Sequence, residues 1–128
     1  MGRTRTELSK NNQFWISKHR YYELKHFCLQ YSEWKELYLL AKQQSMNIKD
    51  DPTGIYATIM ADCQHCITLV ENTAKATDVV LGRYILDHVT KGTSYVRLRT
   101  IDNIPCGKDL FYTLCQKFFW LLSNEKGV

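Results

Sequence analysis

The chain has 128 residues, 45% hydrophobic and 12% aromatic, which is enough apolar material for one buried core and too much for a disordered chain. Its net charge of +4 is uneven: residues 1–50 hold nine Lys/Arg against five Asp/Glu, residues 51–77 one against three, and residues 78–128 seven against five. Basic ends around an acidic middle permit a phosphate-binding surface without demanding one. No apolar run nears the ~18 residues of a membrane span, and no secretory leader is visible, so no membrane partner is expected. The five cysteines suit free thiols in a reducing cytoplasm better than a disulfide framework.

Residues 1–16 are polar and basic, without periodicity until Phe14, and read as a flexible arm. Such an arm is either a frayed terminus or a phosphate contact beside a reading helix. From Ser17 the pattern turns helical. Leu24, Phe27, Cys28 and Tyr31 fall at i, i+3, i+4 and i+7. Ser32 offers a second cap, after which Trp34, Leu37, Tyr38 and Ala41 continue the stripe, so a helical hairpin is expected. Asp51-Pro52 reads as a helix start, an acceptor followed by a proline whose missing donor costs nothing there. Ile55, Ile59, Cys63, Cys66, Ile67 and Val70 then keep helical spacing until the polar run 72–77 interrupts it. Asp78 is placed to cap a helix carrying Leu81, Ile85 and Val89 on one side, ending at Gly92. Ser94 caps a short run in which Tyr95, Leu98 and Ile101 share a face. The break DNIPCGKD leads to a final aromatic-rich helix.

No stretch alternates as a strand would. The expected fold is all-α, with six or seven helices: an N-terminal part over residues 17–77, made of a helical hairpin and a long central helix, and a helix-turn-helix part over residues 78–128.

Catalytic chemistry has little to stand on. Cys63-Gln64-His65-Cys66 has the spacing of half a zinc site, but no second pair matches it, and both cysteines lie on an apolar helical stripe. Cys28, Cys106 and Cys115 stand apart and read as buried thiols. Asp50-Asp51 is better explained by helix capping, and His19, His26, His65 and His88 show no acid–base spacing. No glycine loop cradles phosphate. Neither an enzyme nor a cofactor is expected.

The last helix places Leu110, Phe111, Leu114, Cys115, Phe118, Leu121 and Leu122 within one sector, read as its core face. Opposite its first half stand Lys108, Asp109, Tyr112, Thr113 and Gln116, types that bond to base edges and phosphates. The bland alternative is an ordinary solvated face. Phe119 and Trp120 fall outside the core sector, where they would meet the N-terminal hairpin or a second copy of the chain.

Gly92-Thr93-Ser94-Tyr95, followed by Leu98, Ile104 and a terminal helix, resembles the end of bacterial sigma-factor region four. DPTG, ENTAKATD, ILDHVTKGTSYVRL, IPCGKDLFY and FFWLLS, with YYELKHFCLQYSEW earlier, resemble small phage and mobile-element proteins of Gram-positive bacteria, the RinA/ArpU-type late-gene transcription regulators. The resemblance runs from about Asp51 to Ser123. It implies a helix-turn-helix regulator in the cytoplasm of a bacterial host cell, with Lys108, Tyr112 and Thr113 on the DNA-facing helix and Arg97 and Arg99 on the one before it. The full expected DNA-contacting set is Lys91, Arg97, Arg99, Lys108, Tyr112, Thr113, Gln116 and Lys117. So few cations bind phosphate weakly in a lone subunit, which calls for a homodimer or a partner such as RNA polymerase. The second expectation is a phage-encoded inhibitor or adaptor acting on a host protein such as a defence nuclease or RNA polymerase, with Tyr22, Phe119 and Trp120 as contacts.

Overall fold

The computed structural model describes residues 12–47 and 54–127. Six helices and no strand occur among them: α1 Lys18–Leu29, α2 Tyr31–Asn47, α3 Ile55–Thr77, α4 Gly82–Lys91, α5 Tyr95–Thr100 and α6 Lys108–Lys126. None is long and apolar enough to cross a membrane. Most of the basic arm and the Asp51-Pro52 helix start lie outside the described residues.

Local chemistry accounts for most of the boundaries. Ser17 caps α1 by accepting from the Arg20 amide at 3.2 Å. α1 closes at Gln30 and α2 begins at once with Tyr31, one residue ahead of the expected Ser32 cap. The Asp78 carboxylate accepts from Val80 N at 2.9 Å and Leu81 N at 2.8 Å, holding the turn that leads into α4. Ser94 caps α5 through the Arg97 amide at 3.2 Å.

α3 is the centre of the molecule, packed against α2, α4 and α6, while α1 lies across α4 and α6. The largest fully buried side chains are Phe111, Phe118, Leu24, Ile85, Leu98, Ile104 and Leu122, from five different segments, so one core unites both parts of the chain. α3 also corrects an expectation. The run 72–77 does not interrupt it, because Thr73, Ala74 and Thr77 are buried. The Thr73 and Thr77 hydroxyls donate to Leu69 O at 2.7 Å and Thr73 O at 2.8 Å, which satisfies them within the helix. Small and self-satisfied residues are what a close helix crossing needs, and α4 crosses there: a Cβ built on Gly82 would stand 2.8 Å from the Ala74 carbonyl oxygen.

α6 departs from the expected orientation by a partial turn. Phe119, expected outside the core sector against the N-terminal hairpin or a second copy, is 4% exposed and meets the Tyr21 ring of α1 edge-on at 5.0 Å. Leu110, expected in the core, is 52% exposed. Three helices press on α6, and α1 covers the flank bearing Phe119 and Gln116. In α5 Tyr95 and Leu98 do pack inward, whereas Ile101 is exposed. Leu37 on α2 is exposed as well, because α2 packs chiefly on α3 and turns that flank outward.

Candidate nucleic-acid interface

The surface formed by α4, α5 and the start of α6 is positioned by two tight connections. In the first, Gly92 takes the left-handed conformation (φ 74°) that ends α4, donating its amide to His88 O at 3.0 Å. The His88 ring then reaches over the turn, its Nδ1 2.7 Å from the Thr93 carbonyl. A carbonyl only accepts, so Nδ1 carries the proton in that bond. In the second connection the Ile104 amide donates to Leu98 O at 3.1 Å and the Ile104 side chain is fully buried. The Tyr95 hydroxyl donates to Cys106 O at 2.7 Å. Phe111 sits beneath both, with Tyr95 at 5.5 Å and His88 at 5.2 Å between ring centroids. The irregular backbone on either side of α5 is therefore tied to the core.

On this scaffold the expected contact residues divide into three groups. Arg97, Arg99, Lys108 and Thr113 are exposed, and the three cations have no ion-pair partner among the described residues. Arg97 and Arg99, two apart on one helix, leave it in different directions. Lys91 is exposed but paired with Asp87 at 3.2 Å, one helical turn back. An exposed pair of this kind is worth roughly 0–1 kcal/mol and yields readily to a phosphate. The Thr113 hydroxyl donates back to Asp109 O at 2.9 Å, leaving its oxygen as an acceptor.

Tyr112 and Lys117 are half-buried, and the Tyr112 ring lies against Phe111 and His88. Gln116 departs from expectation, since it is 5% exposed and its amide faces the interior between α1 and α6 instead of solvent. The rotation that buries Phe119 buries Gln116 with it. Of the residues expected to touch a protein, Phe119 is withdrawn into the core. Tyr22 is 40% exposed, and Trp120 is half-buried with Phe14 edge-on at 5.6 Å.

Three apolar side chains on the same unit, Val96, Ile101 and Leu110, are at least half exposed. Periodicity could not single them out, because it assigned Leu110 and Ile101 to the core. Acidic groups also border the unit: Asp87 and Asp102 share a groove with Arg83 and Tyr84.

Titration behaviour follows burial. The His88 pKa is lowered, chiefly by desolvation, with the Thr93 bond opposing and nearby Lys25 adding to the shift. Burial pushes the Cys28 thiol up to about 12 and raises Cys115 strongly, while Cys63, Cys66 and Cys106 rise for the same leading cause. These thiols are the opposite of activated ones. Among the described residues no three His, Cys, Asp or Glu side chains gather to hold a metal ion. No protein-family model, no curated protein and no solved structure matches the chain.

Proposed function

We propose that the protein is a sequence-specific DNA-binding transcription regulator of a phage or mobile element, docking on a major groove with the first two turns of α6. Arg97 and Arg99 hold flanking phosphates, Lys108 stands at the leading end of the reading helix, and Thr113 reaches base edges one turn further on. The observation that carries this reading is the set of exposed cations Arg97, Arg99 and Lys108, without ion-pair partners among the described residues, on two short-linked helices tied to one core. Cations held ready on a rigid unit lose little on meeting a phosphate backbone.

The test is retention on the DNA upstream of its own coding sequence, measured by fluorescence anisotropy for the wild type and for Arg97→Ala with Lys108→Ala. Loss of binding with an unchanged melting temperature supports the reading. Unchanged binding transfers it to a second reading, a protein-binding module acting on a host protein. That reading has its own support in α2, where Leu37, Leu39, Leu40 and Met46 are 46%, 63%, 57% and 78% exposed.

A further inference from the structure

At the start of α6 the side chains Lys108, Asp109, Leu110 and Thr113 are exposed. Leu110 differs from its neighbours in kind: it is a leucine 52% exposed, next to the fully buried Phe111. We propose that Leu110 is a specificity-determining residue that packs on the C5-methyl group of a thymine, so that the protein selects an A·T pair at that position. This rests on the DNA reading and names what that same face selects.

In a major groove guanine is held by Arg or Lys and adenine by Asn or Gln, through paired hydrogen bonds, while the thymine methyl takes an apolar contact. Residues 108–117 include no arginine or asparagine, and their one glutamine, Gln116, is 5% exposed. Asp109 lies in the first turn, where the amides of the helix end favour a carboxylate. Lys108 is a point charge at the leading end, suited to a phosphate. Leu110 and Thr113 remain, three residues apart and therefore neighbours on one helix face. The Thr113 hydroxyl gives its hydrogen to Asp109 O at 2.9 Å, which leaves its oxygen to accept and its methyl group to make apolar contact. A leucine beside an acceptor matches the methyl of thymine next to the N6 amine of its paired adenine, whereas a G·C pair offers no methyl in either orientation. The exposed cations of the same unit, Arg97, Arg99 and Lys108, have the sign that a phosphate backbone requires.

The test amplifies the DNA upstream of the coding sequence with either thymidine or deoxyuridine triphosphate; the second removes every C5-methyl group and keeps the base pairing. Fluorescence anisotropy of the full-length protein, at one salt concentration and with unlabelled nonspecific DNA as competitor, gives a Kd for each duplex. The wild type is expected to bind the uracil duplex about fourfold more weakly, the effect of one buried methyl group. Leu110→Ala should bind both duplexes alike, as weakly as the wild type binds the uracil one, and keep the wild-type melting temperature. Lys108→Ala should weaken both and preserve the fourfold ratio. Equal binding of the two duplexes by the wild type overturns the proposal and leaves the DNA reading standing. A uracil penalty that persists in Leu110→Ala takes the contact away from this residue and overturns it too. Failure of the wild type to bind either duplex removes both readings.

Discussion

Arg20 is the residue that closes the molecule. Its guanidinium donates to Ser123 Oγ at 3.0 Å, to Ser123 O at 3.2 Å and to Gly127 O, and pairs with Glu23 at 2.7 Å. It therefore joins the first helix to the last and places a cation at the negative end of α6. Arg20→Ala should lower the unfolding free energy by about 1.5–3 kcal/mol, the range for hydrogen bonds to a charged group, as read from urea denaturation. A loss under ~0.5 kcal/mol would mean that the contacts are not held in solution. His88 makes a pH prediction with a definite sign. Its folded pKa lies below the ordinary 6.5, so below that pH the unfolded chain binds the proton more readily. Its contribution is complete above about pH 6.5 and is lost as the pH falls. Melting curves from pH 7.5 to 5.5 should show a decline that is shallower in His88→Gln; parallel declines would exclude the residue as its source.

At the scale of elements, the rotation of α6 and the crossing of α4 over α3 are both open to test. Phe119→Ala should cost about 3–5 kcal/mol, as a buried ring does, while Leu110→Ala should stay within about 0.5 kcal/mol. The reverse order, measured by chemical denaturation, would restore the core face expected from periodicity. Gly82→Ala adds a methyl 2.8 Å from a backbone oxygen that cannot swing away. The gain in helix propensity, up to about 1 kcal/mol, is then outweighed by overpacking of about 1–3 kcal/mol, and the melting temperature should drop. Most helix spans, the Ser94 cap and the Gly92 stop were legible beforehand because they depend on neighbours a few residues apart, acting through bonds within their own turn. The inward side of α6 was legible in part: Phe111, Cys115, Phe118 and Leu122 of the expected face are buried, whereas Leu110 is exposed and Phe119 and Gln116 join the core. Periodicity on the helix considered alone left Phe119 outside that sector, and only the placement of α1 drew it into the core.

For the molecule as a whole, a net charge of +4 limits how DNA can be held. With Arg97, Arg99 and Lys108 each meeting one phosphate, the affinity should fall with salt at a slope near −3 per decade, since each contact contributes about −0.9. The Arg97→Ala with Lys108→Ala variant should reduce that slope by about 2. A flat salt response in the wild type would remove the nucleic-acid reading. A slope well beyond −3 would mean that two subunits, or the basic residues before Asn12, take part.

The all-helical class, the free thiols and the placing of exposed cations on α5 and at the head of α6 came from composition, periodicity and capping, since each is decided by residues close together along the chain. Tertiary packing alone decided that Thr73, Ala74 and Thr77 form a helix crossing, that Phe119 and Gln116 turn inward, and that Lys25 and His88 share a cleft. The physical reason is that burial belongs to pairs of surfaces: a side chain is inside only when something distant in sequence covers it, and no single helix records what its neighbour will be.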